Sequence, residues 1–500
     1  MSDSYFTGEL AGTINEALSL WKCASVGLGV IKGGETVFCG GFGKRDLENG
    51  LDADGDTLYQ IGSSSKSFTA ALCAKLVDEG KLSWDKPIRE TAPELRFYDA
   101  FTSDNVTLRD LLCHRTGVPR HEYSWYGNQF TRKELAENVR FLEPNQPFRS
   151  RMQYNNYGYV LAGYLVEKVT GMTWEKCLEE YLFKPLGMNR TTAFLDDIEQ
   201  DENHAVPYSS PEDGSIAGTR KIPFYRTEVE NKAAGTGAPF GQAGSINSSP
   251  SDMLKWLKFH LGDGSAADKR ILSEASLNEL HKPNIFLAAP LDMPHDETIL
   301  HSYAMGWMVE VYRGHKVMHH GGNINGFSAM MFAVPDLDLG IVALTNMDSC
   351  FLHMSVVRTI VDHYLGTEGG DWINRYYDFS TKSHDKLPET IHSLSGDKIP
   401  GTSPGHLPGD YAGSYARKGY GPCSVSAEDG QLMLHFLGAD IPLEHYHYDT
   451  YITAAIVGEL PPGIPVCFFT AEDSGKISAL SMPLVMEAGG RRIRFEKVSD

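Results

Sequence analysis

The sequence predicts an α/β chain: one antiparallel sheet assembled from both ends of a large domain, a helical lobe inserted between those ends, and a small antiparallel β-barrel at the carboxyl side. Three observations predict it. Strand-like runs occur near the start and return in quick succession between residues 304 and 345. Mostly helical and irregular sequence separates them, from Ser63 to about Leu261. A train of short strand-like runs then follows a stretch rich in Ser, Pro and Gly. The chain's 500 residues exceed one hydrophobic core, so two domains are expected. The composition shifts place them at 1–370 and 405–500, with 371–404 as a linker.

In chain order, residues 5–21 carry the apolar spacing of an amphipathic helix. Ser25–Ile31 and Glu35–Gly40 read as strands across a Lys32-Gly33-Gly34 turn. An apolar helix opens at Ser63, with Phe68, Ala70, Ala71, Leu72, Ala74 and Leu76 along it. The strands of the second half are Ala304–Val311, Lys316–His319, Phe327–Val334 and Leu339–Thr345, and Phe351–Leu365 reads as the closing helix. The tail holds seven short strand-like runs: Tyr411–Tyr415, Cys423–Ala427, Gln431–Phe436, Tyr451–Ile456, Val466–Thr470, Ile477–Met482 and Arg491–Lys497. Gly, Pro and Asp punctuate them, as in a closed barrel.

Charge and cysteine usage narrow the function classes. A net charge of −20 argues against nucleic acid or an anionic membrane as the main partner. No run approaches the roughly 18 apolar residues of a membrane span, and the first residues lack a basic and apolar leader. The eight cysteines are scattered with no C-x-x-C pair, so neither a metal nor a redox centre is expected. A cytoplasmic protein with reduced thiols is the expectation, and the glycosylation-like triplets at Asn105, Asn189 and Asn247 read as chance.

Ser63-x-x-Lys66 is the first candidate for chemistry. Residues three apart share a helix face, so the lysine amine can reach the serine hydroxyl. A serine needs an adjacent base to act as a nucleophile, and a lysine whose pKa is lowered by burial and neighbouring cations can be that base. The same spacing recurs at Ser19, Ser83, Ser383 and Ser395. Only Ser63 follows a strand-like Ile61-Gly62 and opens an apolar helix, where free N–H groups suit an oxyanion. Taken alone, Ser63 is equally a helix cap.

Two further motifs stand downstream. Tyr154-x-Asn156 lies at the mouth of another apolar helix. A phenol beside a lysine can shuttle protons, and the amide can orient a substrate carbonyl or the lysine. Packing of a Tyr-rich helix start is the alternative. His319, Gly321 and Gly322 follow a late strand. Missing Cβ atoms there let a substrate lie against the backbone and let an N–H serve an oxyanion, while a Gly-rich hairpin with two solvated histidines is the alternative.

Ser-x-x-Lys, then Tyr-x-Asn about ninety residues on, then His-x-Gly on a late strand together resemble the serine β-lactamase and penicillin-binding-protein-like superfamily, in its class C β-lactamase, esterase and D-aminopeptidase branch. The segment Leu111-Leu112-Cys113-His114-Arg115-Thr116-Gly117-Val118-Pro119, with Pro185–Met188 and Gln242–Ser245, fits the same pattern. The likeness covers roughly residues 10–365, and the tail is similar to lipocalin-like domains of some relatives.

The resemblance implies a β-lactamase/transpeptidase-like fold. It also implies Ser63 as nucleophile, Lys66 as its activating partner and Tyr154 as general base. Asn156, His319, Gly321 and Gly322 would bind substrate, with the Ser63 and Gly322 N–H groups as the oxyanion hole. His319 would stand where lysine is usual. An imidazole with an ordinary pKa near 6.5 is mostly neutral at cytosolic pH, which suits substrates without an obligatory carboxylate. The expected activity is that of a serine hydrolase acting through an acyl-enzyme on small esters, amides or short peptides, of esterase or D-aminopeptidase type and without cofactor or metal. An acyltransferase on the same site is the first alternative, and a non-catalytic scaffold that kept the fold is the second.

Overall fold

The computed structural model describes residues 4–210, 219–227, 229–266, 269–367, 370–454, 460–486 and 491–498. The large sheet has nine strands among these residues: β1 (Ser25–Lys32), β2 (Glu35–Asp46), β3 (Leu51–Asp52), β4 (Ile285–Phe286), β5 (Thr298–Tyr303), β6 (Met308–Tyr312), β7 (His315–Ile324), β8 (Phe327–Val334) and β9 (Leu339–Thr345). Their spatial order is β4-β5-β6-β7-β8-β9-β1-β2-β3, every pair antiparallel. The first strand thus closes the sheet against the last, at Val26↔Thr345 through Lys32↔Leu339.

Alternation decides what each sheet face meets. In β1, Val26, Leu28 and Val30 enter the core shared with helices α1 (Leu10–Trp21) and α5 (Leu352–Leu365). In β8, Met330, Phe332 and Val334 point the same way, while Ala329, Met331 and Ala333 face the inserted lobe. That lobe brings α2 (Ser65–Asp78), α3 (Tyr157–Thr170) and α4 (Pro250–Leu261) onto the opposite face. The sheet is therefore a middle layer, with the lobe in front and α1 and α5 behind.

Two strands escape the sequence pattern for physical reasons. In β5, Ile299 and Leu300 are exposed and Leu300 has φ +61°, so apolar alternation is broken by a bulge. The barrel strand at Ala439–His447 contains Pro442, which reads as a breaker but pairs with Met433. With it the barrel has eight strands and is closed, from Gly413–Ala416 round to Arg491–Lys497. Of the predicted strand Tyr451–Ile456, residues 450–453 are strand and 455–456 lie outside the described residues.

The segment 371–404 is not the linker that its composition suggests. Helices α6 (Trp372–Asp385) and α7 (Leu387–Ser395) occupy most of it. Asp371 caps α6 by accepting from the Asn374 N–H at 3.2 Å. Trp372, Tyr376 and Ser380, at helical spacing, are buried in the layer behind the sheet. The surrounding Lys, Ser and Asp residues form the solvated face, which masks this stripe in the composition. Among the described residues no helix is long and apolar enough to cross a membrane.

The indole of Trp372 donates to Asp362 at 2.8 Å and carries Arg375 stacked 4.0 Å from its centre. Trp372→Ala is expected to lower stability by about 3–5 kcal/mol. Urea unfolding measures this, and a change within about 0.5 kcal/mol, the range of a surface substitution, would return the segment to linker status.

Candidate active site

The chain leaves the short strand Tyr59–Gln60, makes one tight turn at Gly62–Ser64 and enters α2, which puts Ser63 at the helix mouth and Lys66 one turn inside. Strand β7 lies directly against this turn. A Cβ on Gly322 would stand 2.0 Å from the Ile61 carbonyl oxygen, and one on Gly62 would stand 2.8 Å from the Asn323 nitrogen. Ser64 locks the contact by donating its hydroxyl to the His320 carbonyl at 3.0 Å. Neither glycine can carry a side chain without separating strand from nucleophile.

Lys66 is fully buried, and its Nζ has three oxygen neighbours: Ser63 Oγ at 2.9 Å, Asn156 Oδ1 at 2.9 Å and the Ala243 carbonyl at 2.8 Å. Burial first, then the Arg120 charge, pull its pKa well below 10.5, while Glu122 pulls weakly upward. A neutral amine has two N–H groups and one lone pair. Asn156 and Ala243 present acceptors only and take both N–H groups, so the lone pair is left facing the Ser63 hydroxyl. The Gln242–Ser245 segment supplies that third contact.

The Tyr154 hydroxyl bonds Ser63, and Lys66 Nζ and Arg120 Cζ lie 5.0 and 5.5 Å from its ring centre. Desolvation still pushes its pKa up to about 12, against the opposing pull of Ser63 and Arg120. Tyr154 therefore rests as a phenol, and Lys66 is the base poised at Ser63. His114, buried beside it with ring centres 4.4 Å apart, accepts from the Asn155 N–H at 3.3 Å and so braces the Tyr154 backbone.

The structure corrects one residue. His319 does not stand beside Ser63: it pairs with Met308 and Phe332, stacks on the Phe332 ring and so faces the layer behind the sheet. Its neighbour His320 faces the lobe, because consecutive strand residues point to opposite faces. Its Nδ1 lies 2.6 Å from the Gly321 carbonyl and its Nε2 2.9 Å from the Tyr303 hydroxyl. The carbonyl can only accept, so Nδ1 carries the proton and Nε2 receives the tyrosine O–H. Burial, with the Lys66 charge next, lowers its pKa to about 3, leaving it neutral.

Arg120 and Glu122, which no sequence motif marked, line the cleft and pair at 3.0 Å. Asn156 Nδ2 reaches Glu122 at 3.4 Å. An aromatic wall completes the front of the cavity, with Trp125 against Phe240 at 4.7 Å and Tyr126 stacked on Tyr225 at 4.8 Å. The cavity measures about 540 Å³, room for a drug-sized ligand. Among the described residues no three His, Cys, Asp or Glu side chains converge as a metal set.

The Beta-lactamase family profile matches residues 17–350. The chain belongs to the Beta-lactamase family. A second profile, a domain of unknown function (DUF3471), matches residues 397–497, the barrel with the stretch leading into it. Curated relatives of this Beta-lactamase-family chain include the unguisins hydrolase ungD of Aspergillus violaceofuscus, 29% identical over 90% of this chain and 83% of that protein. Protein flp of Staphylococcus aureus is 24% identical over 70% of this chain and 65% of its own length. Among solved structures, the octameric penicillin-binding protein homologue from Pyrococcus abyssi superposes with TM-score 0.61 at 23% identity, covering 98% of this chain and 100% of that one. The D-amino acid amidase from Ochrobactrum anthropi gives 0.56 at 24% identity, over 72% and 98% of the two chains. These superpositions establish the shared fold.

The pair at Arg120 and Glu122 sets the pH range of this Beta-lactamase-family site. If neutral Lys66 is the base, kcat/KM rises with pH through its lowered pKa. Arg120→Leu removes a neighbouring cation and is expected to move that limb to higher pH. Glu122→Gln removes a neighbouring anion and is expected to move it to lower pH. Rates of Ser63 labelling by a fluorophosphonate across pH measure both; limbs that stay fixed or shift together would mean another group controls activation.

Proposed function

We propose that the protein is a serine hydrolase that works through an acyl-enzyme and cleaves neutral amides, turning over activated esters by the same route. The observation that carries this reading is the Lys66 amine, whose two N–H groups are held by Asn156 and Ala243 and whose third direction is Ser63. A packing lysine has no need of a fully buried amine aimed at a serine.

The steps follow from the geometry. Ser63 Oγ adds to the substrate carbonyl carbon as its proton passes to Lys66. The developing oxyanion sits between the Ser63 N–H and an amide of the strand edge at Gly322–Asn323. Collapse breaks the C–N bond. The leaving nitrogen takes a proton from Tyr154, which is refilled from the Lys66 ammonium. Water then adds to the acyl ester, giving its proton to the restored base, and releases the acid and the free Ser63 hydroxyl.

Substrate preference rests on charge. Neutral His320 gives the strand no cation for a carboxylate, and Arg120 is offset by Glu122 at 3.0 Å. The aromatic wall favours an apolar acyl group. Names among the similar proteins, an unguisins hydrolase and a D-amino acid amidase, support amides over β-lactams.

Intact-mass spectrometry after fluorophosphonate treatment is expected to show one adduct, on Ser63, absent in Ser63→Ala. Tyr154→Phe keeps the ring and removes one oxygen, so kcat is expected to fall by roughly 10²–10⁴ at unchanged melting temperature. An adduct on Ser83 or Ser395 would overturn the nucleophile, and a near-normal kcat in Tyr154→Phe would leave proton transfer to Lys66 alone.

A further inference from the structure

The cavity at Ser63 does not end at β7. Strand β6 pairs with β7 only from Met308↔His319 to Tyr312↔His315, so beyond His319 that side of β7 is a free edge. Gly321 places no side chain at the corner, where a Cβ would come within 3.1 Å of Met330 Cε. Around it the same cavity continues on the far face of the sheet, against Met308, Met330 and Met354.

This second arm is apolar except for His319, Glu310 and His353, which are 5%, 4% and 3% exposed. Both ring nitrogens of His319, Nδ1 of His353 and Oε2 of Glu310 are buried without a hydrogen-bond partner. His319 Nε2 and Glu310 Oε2 approach to 3.2 Å but are out of line. Buried polar atoms are nearly always paired, so four of them facing one cavity describe a polar guest by complement.

The donor and acceptor count selects its chemistry. A neutral imidazole offers one N–H and one bare nitrogen, and a carboxylate only accepts. An ammonium guest, which only donates, leaves the His319 N–H unmet. A carboxylate guest, which only accepts, leaves Glu310 Oε2 unmet and adds negative charge beside Glu310 and Asp292, which share one guanidinium, Arg358, at 3.6 and 3.8 Å. A neutral amide does both: its N–H donates to Glu310 while its carbonyl accepts from an imidazole.

We propose that this arm is a subsite for a peptide-type amide in the part of an extended substrate that passes around Gly321. The inference rests on the reading of Ser63 as the reacting centre, and it makes the substrate a chain with amide groups beyond the scissile bond rather than a single-residue amide.

The test is equilibrium binding to Ser63→Ala protein, which separates recognition from turnover. The probes are N-acetyl-Phe-Ala-Ala carboxamide, the same peptide as a free acid and N-acetyl-Phe carboxamide, each in D and L series. In one series the tripeptide amide is expected to bind about tenfold or more tightly than the other two, the scale of a hydrogen bond to a charged group. Adding Met354→Phe, which fills the arm, or His319→Leu, which removes the imidazole, is expected to abolish that advantage, while Met354→Leu keeps it. Equal binding of all three probes in both series would overturn the subsite, as would an advantage that survives both Met354→Phe and His319→Leu. Should Met354→Phe fail to fold, His319→Leu decides alone. Loss of the subsite with wild-type Ser63 labelling intact refutes this inference only; absence of labelling refutes the acyl-enzyme reading.

Discussion

One act of desolvation organises the front of this molecule: a lysine amine is taken wholly out of water and given three oxygens. Burying the ammonium costs more than burying the amine, so the pKa falls. Between its folded and unfolded pKa values the unfolded chain binds one more proton, and the penalty for burying Lys66 therefore shrinks as pH rises through that interval. The surrounding architecture exists to hold that environment. Helix α2 carries the lysine, the start of α3 brings Asn156, the short helix Gly241–Gly244 supplies the Ala243 carbonyl, and β7 presses Gly322 onto the turn that holds Ser63.

Much of this was legible in the sequence, because it depends on local order. The Ser63-to-Lys66 spacing needs only a helix, and the strands Phe327–Val334 and Leu339–Thr345 are long apolar runs that end at turn residues. What escaped depends on register. Two histidines precede two glycines in β7, so His319-x-Gly321 and His320-x-Gly322 satisfy the same pattern. The choice falls to the face: the glycine that touches Ile61 is Gly322, and the histidine of its parity is His320. Arg120 and Glu122 carry no motif, and only the fold of their loop brings them to Tyr154. In the segment 371–404, a stripe of buried residues was hidden among polar neighbours.

The barrel reaches the site through that same loop. His121, between Arg120 and Glu122, turns away from the cleft with φ +45° and shares a 2.7 Å hydrogen bond with the Tyr420 hydroxyl of the barrel. A backbone in this region is strained for a residue with a Cβ, and the contact offsets the strain by burying the ring against a partner. Arg491 adds a second tie, to Glu143 and the Pro144 carbonyl. The domain therefore stands behind the residues that set the charge near Tyr154, although none of its own side chains lines the cavity.

The two faces of β7 then divide the work by parity. Even-numbered residues, His320 and Gly322, serve the turn with Ser63, and odd-numbered ones, His319 and Gly321, belong to the arm behind. A single strand can serve both because it has lost its neighbour on one side past His319, leaving an edge around which a chain can bend. The lost pairing also leaves backbone polar groups of that edge without a ladder partner, and an extended substrate backbone is the group best matched to them. Front chemistry, free edge and rear polar arm thus select for the same class of molecule: a neutral chain of amides long enough to touch both faces of the sheet.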